Sequence, residues 1–222
     1  MNGTRPVYGA FNQGDTPTVA CFNQASTPAK LIKSSDFVAG AWAVVFLDNA
    51  DQPGALAYHD LTPEGYPLSK VFVKTTLDNH DLVSVSTSHE LVEMLVDPGI
   101  NMMTTGPDPK VFYAYESADP VEQLSFEVNG IPMSDFVYPA YFEGFRKAGS
   151  VPFDHLNKVS KPFQILPGGY QIVYKNGKWD QEYGSAAKKK AFAREDRRGH
   201  RSETRMKGKL LRATTKRAQR YH

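Results

Sequence analysis

An α+β domain with one prominent central helix is the fold class that the sequence predicts, and three observations predict it. Short β-rich runs are separated by turn chemistry, including Asn129-Gly130 and Asn176-Gly177. One stretch, Thr87 to Val96, abandons that rhythm and carries Leu91, Val92, Leu95 and Val96 at helical spacing. A length of 222 residues with 41% hydrophobic content is enough for one substantial core plus an appendage.

Taken in order, residues 1–35 are rich in Thr, Asn, Pro and Gly without clear periodicity, and read as an extended arm with one short strand at "TVACF". The apolar run Ala41 to Leu47 suits a buried strand. "ALAYHDLTPEGYPLSKVFVKTTL" follows, two β-rich runs around the turn "TPEG", with Val71, Val73 and Thr75 alternating with Phe72 and Lys74. The helix comes next, with Thr87 or Ser88 as N-cap and Pro98-Gly99 as its stop. "KVFYAYE" returns to strand character, and "LSFEVNGIPMSDFV" predicts a hairpin closed at Asn129-Gly130. "PFQILPGGYQIVYKNGKW" supplies two more β segments closed at Asn176-Gly177. The domain organisation is an arm over 1–35, an α+β domain over 36–184, and a tail over 185–222.

The net charge of +2 conceals an asymmetry. The tail holds 14 Lys/Arg against three acids, a net of +11, and the remaining residues hold 12 bases against 21 acids, a net of −9. Lys188, Lys189, Lys190, Arg194, Arg197, Arg198, Arg201, Arg205, Lys207, Lys209, Arg212, Lys216, Arg217 and Arg220 form a footprint for a polyanion, either nucleic acid or an acidic protein face. Like charges and few apolar groups leave such a tail largely unfolded until a partner holds it. The lone cysteine, Cys21, excludes an internal disulfide framework and a cysteine-rich zinc module. No apolar run approaches the roughly 20 residues of a membrane-spanning helix, and the N-terminus shows no secretory h-region, so no membrane partner is expected.

The helix carries the chemistry. In "TSHELVEMLVDP", His89 and Glu93 are four apart and share one helix face, so both can reach a single divalent cation. Zinc accepts imidazole nitrogen and carboxylate oxygen alike. Glu90 projects beside that pair, where a carboxylate can take a proton from a metal-activated water. A third ligand must come from elsewhere. Asp97 lies about 12 Å along an ideal helix from His89, too far to chelate unless the helix breaks. Glu116, Asp119, Glu122 and His59 are the candidates, and His59, Tyr113 or Tyr115 could stabilise a developing oxyanion. The plain alternative is an amphipathic helix with His89, Glu90 and Glu93 on a solvated face. His80, His155, His200 and His222 show no ligand spacing and read as surface or packing residues.

"ALAYHDLTPEGYPLSKVFVKTT", "SVSTSHELVEMLVDP", "YAYESADPVE", "VNGIPMSDFVYPAYFEG" and "LPGGYQIVYKNGKW" together resemble zincin-like proteins of unassigned function encoded by tailed bacteriophages and prophages. The five stretches span roughly residues 37 to 180 in one order. The resemblance implies a zincin-like mixed sheet around the metal-site helix, with His-Glu-x-x-Glu as the group's own form of the site. It implies His89 and Glu93 as metal ligands, Glu90 as general base and Glu116 as third ligand, with Zn2+ or another divalent metal bound. It also implies a phage origin, with synthesis in a bacterial host's cytoplasm; in that setting the +11 tail suits incorporation into the phage particle, contacting packaged DNA or neighbouring virion subunits. An active zinc metallopeptidase or amidohydrolase is the alternative function.

Overall fold

The computed structural model describes residues 40–192 apart from 53–54, together with 33, 34 and 38. The arm with Cys21 and the strand expected at "TVACF" lie outside the described residues, as do the tail residues from Arg194 onward. Within them the architecture is α+β, with three sheets and few helices.

The first sheet has the order β1-β3-β2, formed by β1 (Ala43–Leu47), β2 (Ala57–Leu61) and β3 (Pro67–Phe72). β1 runs parallel to β3, and β2 runs antiparallel to it with His59 opposite Ser69. The expected turn between β2 and β3 forms, with Thr62 and Tyr66 joined through their backbones and Gly65 at φ 85°. A left-handed backbone at that position suits only glycine well.

The alternation expected through Val73 and Thr75 ends earlier than the sequence pattern suggests. Leu47, the last residue of β1, pairs with Phe72, and the chain then turns into the short helix α1 (Val73–Asp78). Thr76 donates to the Phe72 carbonyl one turn back, and the Ala50 amide donates to Thr75 Oγ1. Beyond the end of the partner strand these β-branched residues have no ladder to join, and tertiary contacts override their strand propensity.

Helix α2 (Val83–Val96) has its N-cap five residues before Thr87, the earlier of the two expected caps. Its N-cap position is Leu82, which supplies no side-chain bond. Thr87 and Ser88 instead lie buried inside the helix and donate to the carbonyls of Val83 and Ser84. Hydroxyls that bond back to the preceding turn are satisfied in a helix interior, which removes the reason to read them as caps. Ser88 Oγ also accepts from the Ser134 amide at 2.7 Å, tying the helix to a strand of the hairpin described next. The helix stops at Asp97, whose carboxylate accepts the amides of Asn101 and Met102. Every residue from Thr87 to Met94 is buried, so the alternative of a solvated polar face is not what forms.

β6 (Ser125–Val128) and β7 (Ile131–Ser134) make the expected hairpin, with Asn129 at φ 52° and Gly130 at φ 78°. The remaining sheet, β4-β5-β8-β9, is antiparallel throughout and comprises β4 (Met103–Thr105), β5 (Phe112–Ala114), β8 (Tyr170–Lys175) and β9 (Lys178–Tyr183). The second Asn-Gly turn joins β8 to β9. Helix α2 packs against β2 and β3, where its Leu91 and Met94 share a core with Val44 of β1 and Val71 of β3, and against β7 on another side. A separate core gathers Val121, Val137, Tyr141, Phe142, Phe153 and Val159. The start of the basic tail is the helix α3 (Ala186–Phe192), anchored where Lys188 pairs with Glu122 and lies over the Tyr170 ring. None of the helices among the described residues is long and apolar enough to cross a membrane.

A candidate metal centre at the floor of a cleft

Three segments converge on the middle of α2. The helix presents His89, Glu90 and Glu93; β2 presents His59; and the stretch after β5 presents Glu116 and Asp119. All six are buried. Four carboxylates thus face two imidazoles in a region sheltered from water. Desolvating a carboxylate carries a penalty of roughly several kcal/mol, so a cation or hydrogen-bond donors must compensate it.

The outer part of the cluster joins His89, Glu93 and Asp119. His89 Nε2 lies 3.2 Å from Asp119 Oδ1 and 3.7 Å from Glu93 Oε1. Ligand atoms held about 2.0–2.1 Å from one zinc ion in a tetrahedron stand about 3.3 Å apart, so these separations fit a cation between them. Glu93 Oε1 also accepts the amides of Ala118 and Asp119 at 3.2 and 3.3 Å, which fixes the carboxylate and the Asp119 segment relative to one another. Asp119 opens a single 3-10 turn (Asp119–Val121). Gly169 permits that turn's position, because a Cβ there would sit 2.2 Å from the Pro120 carbonyl oxygen and 2.8 Å from that of Asp119.

The inner part joins His59, Glu90, Glu93 and Glu116. His59 Nδ1 lies 3.0 Å from Glu90 Oε2 and 3.5 Å from Glu93 Oε2, and its Nε2 lies 3.5 Å from Glu116 Oε2. Burial by itself would lower the His59 pKa, but the Glu90 hydrogen bond and the charges of Glu116, Glu93 and Glu90 outweigh it and hold it raised. For His89 too, burial is the largest effect and lowers the pKa. The Asp119 bond and the charges of Glu90, Asp119 and Glu122 reverse the direction.

His89 and Glu90 also form part of the lining of a cleft of about 650 Å³. Its walls come from residues 55–58, from the α1–α2 connection over 79–82, and from residues 122–125. Lys188 of α3 and Tyr170 contribute one edge. The site therefore has a solvent-facing side at His89 and Glu90, with Glu93, His59 and Glu116 behind it.

Of the residues singled out from the sequence, His89, Glu90 and Glu93 come together as expected for one helix face and its neighbour. Asp119, rather than the favoured Glu116, shares the ligand set of His89 and Glu93, and Glu116 stands against His59. Tyr113 donates to Glu182 and Tyr115 stacks on Phe142; neither lines the cleft. His155 packs on Phe136 and reaches Tyr138. Of the basic residues, Lys188 contacts the body and Lys189 is exposed, whereas those from Arg194 to Arg220 lie outside the described residues. His59, a third-ligand candidate from the sequence, does reach the helix site, but its partner there is Glu90, 31 positions away, a pairing that spacing alone does not announce.

No protein-family model, curated protein or solved structure matches the chain.

Proposed function

We propose that the chain is a zincin-like, metal-dependent hydrolase of phage origin that acts on a peptide or other amide bond in the cleft above His89 and Glu90. The observation that carries this reading is the convergence of His89, Glu93 and Asp119 at zinc-like separations, with His89 and Glu90 lining the cleft and the two other carboxylates buried behind it. Zinc is the first ion to test, because one imidazole and two carboxylates suit it. His89, Glu93 and Asp119 would hold the divalent cation, which when bound would supply Lewis-acid chemistry for a carbonyl and a water. Glu90 takes the proton of the attacking water and passes it to the leaving amine. His59 holds the Glu90 carboxylate in place from behind. The Ala118 and Asp119 amides hold Glu93. Burial of the cluster limits the access of bulk water and strengthens each of these interactions.

The same proposal gives the segment from Ser185 a separate duty, contact with DNA or acidic neighbours within a phage particle, supported by its net charge of +11. The hydrolytic reading is tested by incubating the full chain, loaded with one equivalent of zinc, with a mixed peptide library and reading products by mass spectrometry. Cleavage should fall by about 10²–10⁴-fold in Glu90→Gln while bound zinc stays unchanged. Undiminished cleavage in that variant, or no cleavage by the zinc-loaded wild type, would overturn it.

A further inference from the structure

Glu93 turns one oxygen to each of two ligand sets. Oε1 lies with His89 and Asp119, and Oε2 lies 3.5 Å from His59 Nδ1. One potential ligand atom from each of His59, Glu90 and Glu93 falls within 4.8 Å of the others, as it does for His89, Glu93 and Asp119. Building on the outer set as a cation site, we propose that His59, Glu90 and Glu93 form a second, inner divalent-cation position joined to the first through the Glu93 carboxylate.

Four observations support it. The separations of 3.0 Å and 3.5 Å around His59 Nδ1 match the spacing of ligand atoms about one small cation, as those of the outer set do. Each set contributes one imidazole and one carboxylate of its own, and they share Glu93. That composition matches two ions held about 3.5–4 Å apart by a common carboxylate. The third observation concerns the far nitrogen of His59. The ring is buried, Nε2 has no hydrogen-bond partner among the described residues, and it faces Glu116 Oε2 at 3.5 Å. With Nδ1 on a cation the imidazole is neutral, so Nε2 carries the N–H and directs it at Glu116. A carboxylate behind a metal-bound imidazole fixes its tautomer and orientation in this way.

The fourth is charge. Glu90, Glu93, Glu116 and Asp119 are four buried carboxylates, and two divalent cations balance them. One cation leaves two of those carboxylate charges with His59 beside them in a poorly hydrated interior. The inner position also has a consequence for the outer one. An ion there would engage Glu90 Oε2, the oxygen next to His59, and so would lower the basicity of the Glu90 carboxylate toward a water at the outer position. The first ion repels the second, which therefore binds more weakly.

The test counts ions and needs no substrate. Full-length protein is stripped with a chelator, desalted and titrated with Co2+, and bound metal is measured after gel filtration. Two Co2+ per chain are expected for the wild type, the second more weakly bound, and one for His59→Phe. Loaded with Mn2+, the wild type should give the electron paramagnetic resonance signal of an exchange-coupled pair. His59→Phe should give that of an isolated ion. One Co2+ per wild-type chain overturns the inner position and leaves the outer site standing. Two uncoupled ions, or a coupled pair that survives His59→Phe, also overturn it. No bound ion overturns both.

Discussion

His59 Nδ1 stands 3.0 Å from Glu90 Oε2, although 31 positions separate the two residues in the chain. The carboxylate next to the candidate metal-ligand histidine is thus held from strand β2. Helix spacing explains why His89 and Glu93 can share a cation, but the surrounding strands and turns decide where each carboxylate points.

The ligand set separates Asp119 from Glu116. Asp119→Ala should abolish binding of the tighter cation, because it removes one of three converging atoms and leaves His89 and Glu93 alone. Glu116→Gln should keep that cation, since Glu116 acts through His59. Calorimetric titration with Zn2+ checks both variants, and the reverse pattern would restore Glu116 as the third ligand.

Gly169 is a second lever on the same geometry. A Cβ at this position collides with backbone of the 119–120 turn, not with a movable side chain. Gly169→Ala should lower stability by about 1–3 kcal/mol and weaken the tighter cation by displacing Asp119. Denaturant unfolding and the Zn2+ titration read the two effects separately.

Away from the site, Asp135 and Asp154 form a buried carboxyl pair. Burial first, and Asp154 second, push the Asp135 pKa up from 3.8 to about 7, against the amides of Phe136 and Leu156, which lower it. A carboxyl whose folded pKa is raised binds its proton more tightly when folded. Its stabilising contribution is complete below about pH 4 and is lost as pH rises through 7. Asp135→Asn keeps the acceptor oxygen for both amides and removes the charge. Relative to wild type, its Tm should rise by about 2–4 °C at pH 8, the shift that about 1 kcal/mol produces at this size, and should change little at pH 4. An equal shift at both pH values would show that Asp135 does not titrate in this range.

The basic segment predicts a salt-sensitive interaction. If it neutralises six phosphates of duplex DNA, log K should fall with log salt at a slope of about −5. Truncation after Tyr183 should abolish that binding in a fluorescence anisotropy titration. Binding that survives truncation would place the contact on the acidic body instead.

The strands and hairpins were legible because their signals are local. Asn129-Gly130 and Asn176-Gly177 each adopt the positive φ that an Asn-Gly hairpin turn demands, and the flanking runs pair around them. The segment after Phe72 was misread because β-branched residues look alike whether or not a partner strand continues, and β1 ends at Leu47. The N-cap was misread because a hydroxyl in mid-helix can bond to the turn behind it, as Thr87 and Ser88 do. At the site, spacing along α2 brought out His89, Glu90 and Glu93. The choice between Glu116 and Asp119 depended on a turn whose position rests on Gly169, 50 positions further on, and no local pattern carries that information.

The central claim is that His89, Glu93 and Asp119 hold a divalent cation. Its most direct test is elemental analysis of full-length protein purified without chelator and dialysed against metal-free buffer. At least one equivalent of zinc or another divalent metal per chain is expected, reduced to a trace in His89→Ala. A folded wild-type protein that carries no metal, and takes up none when zinc is added, would contradict it.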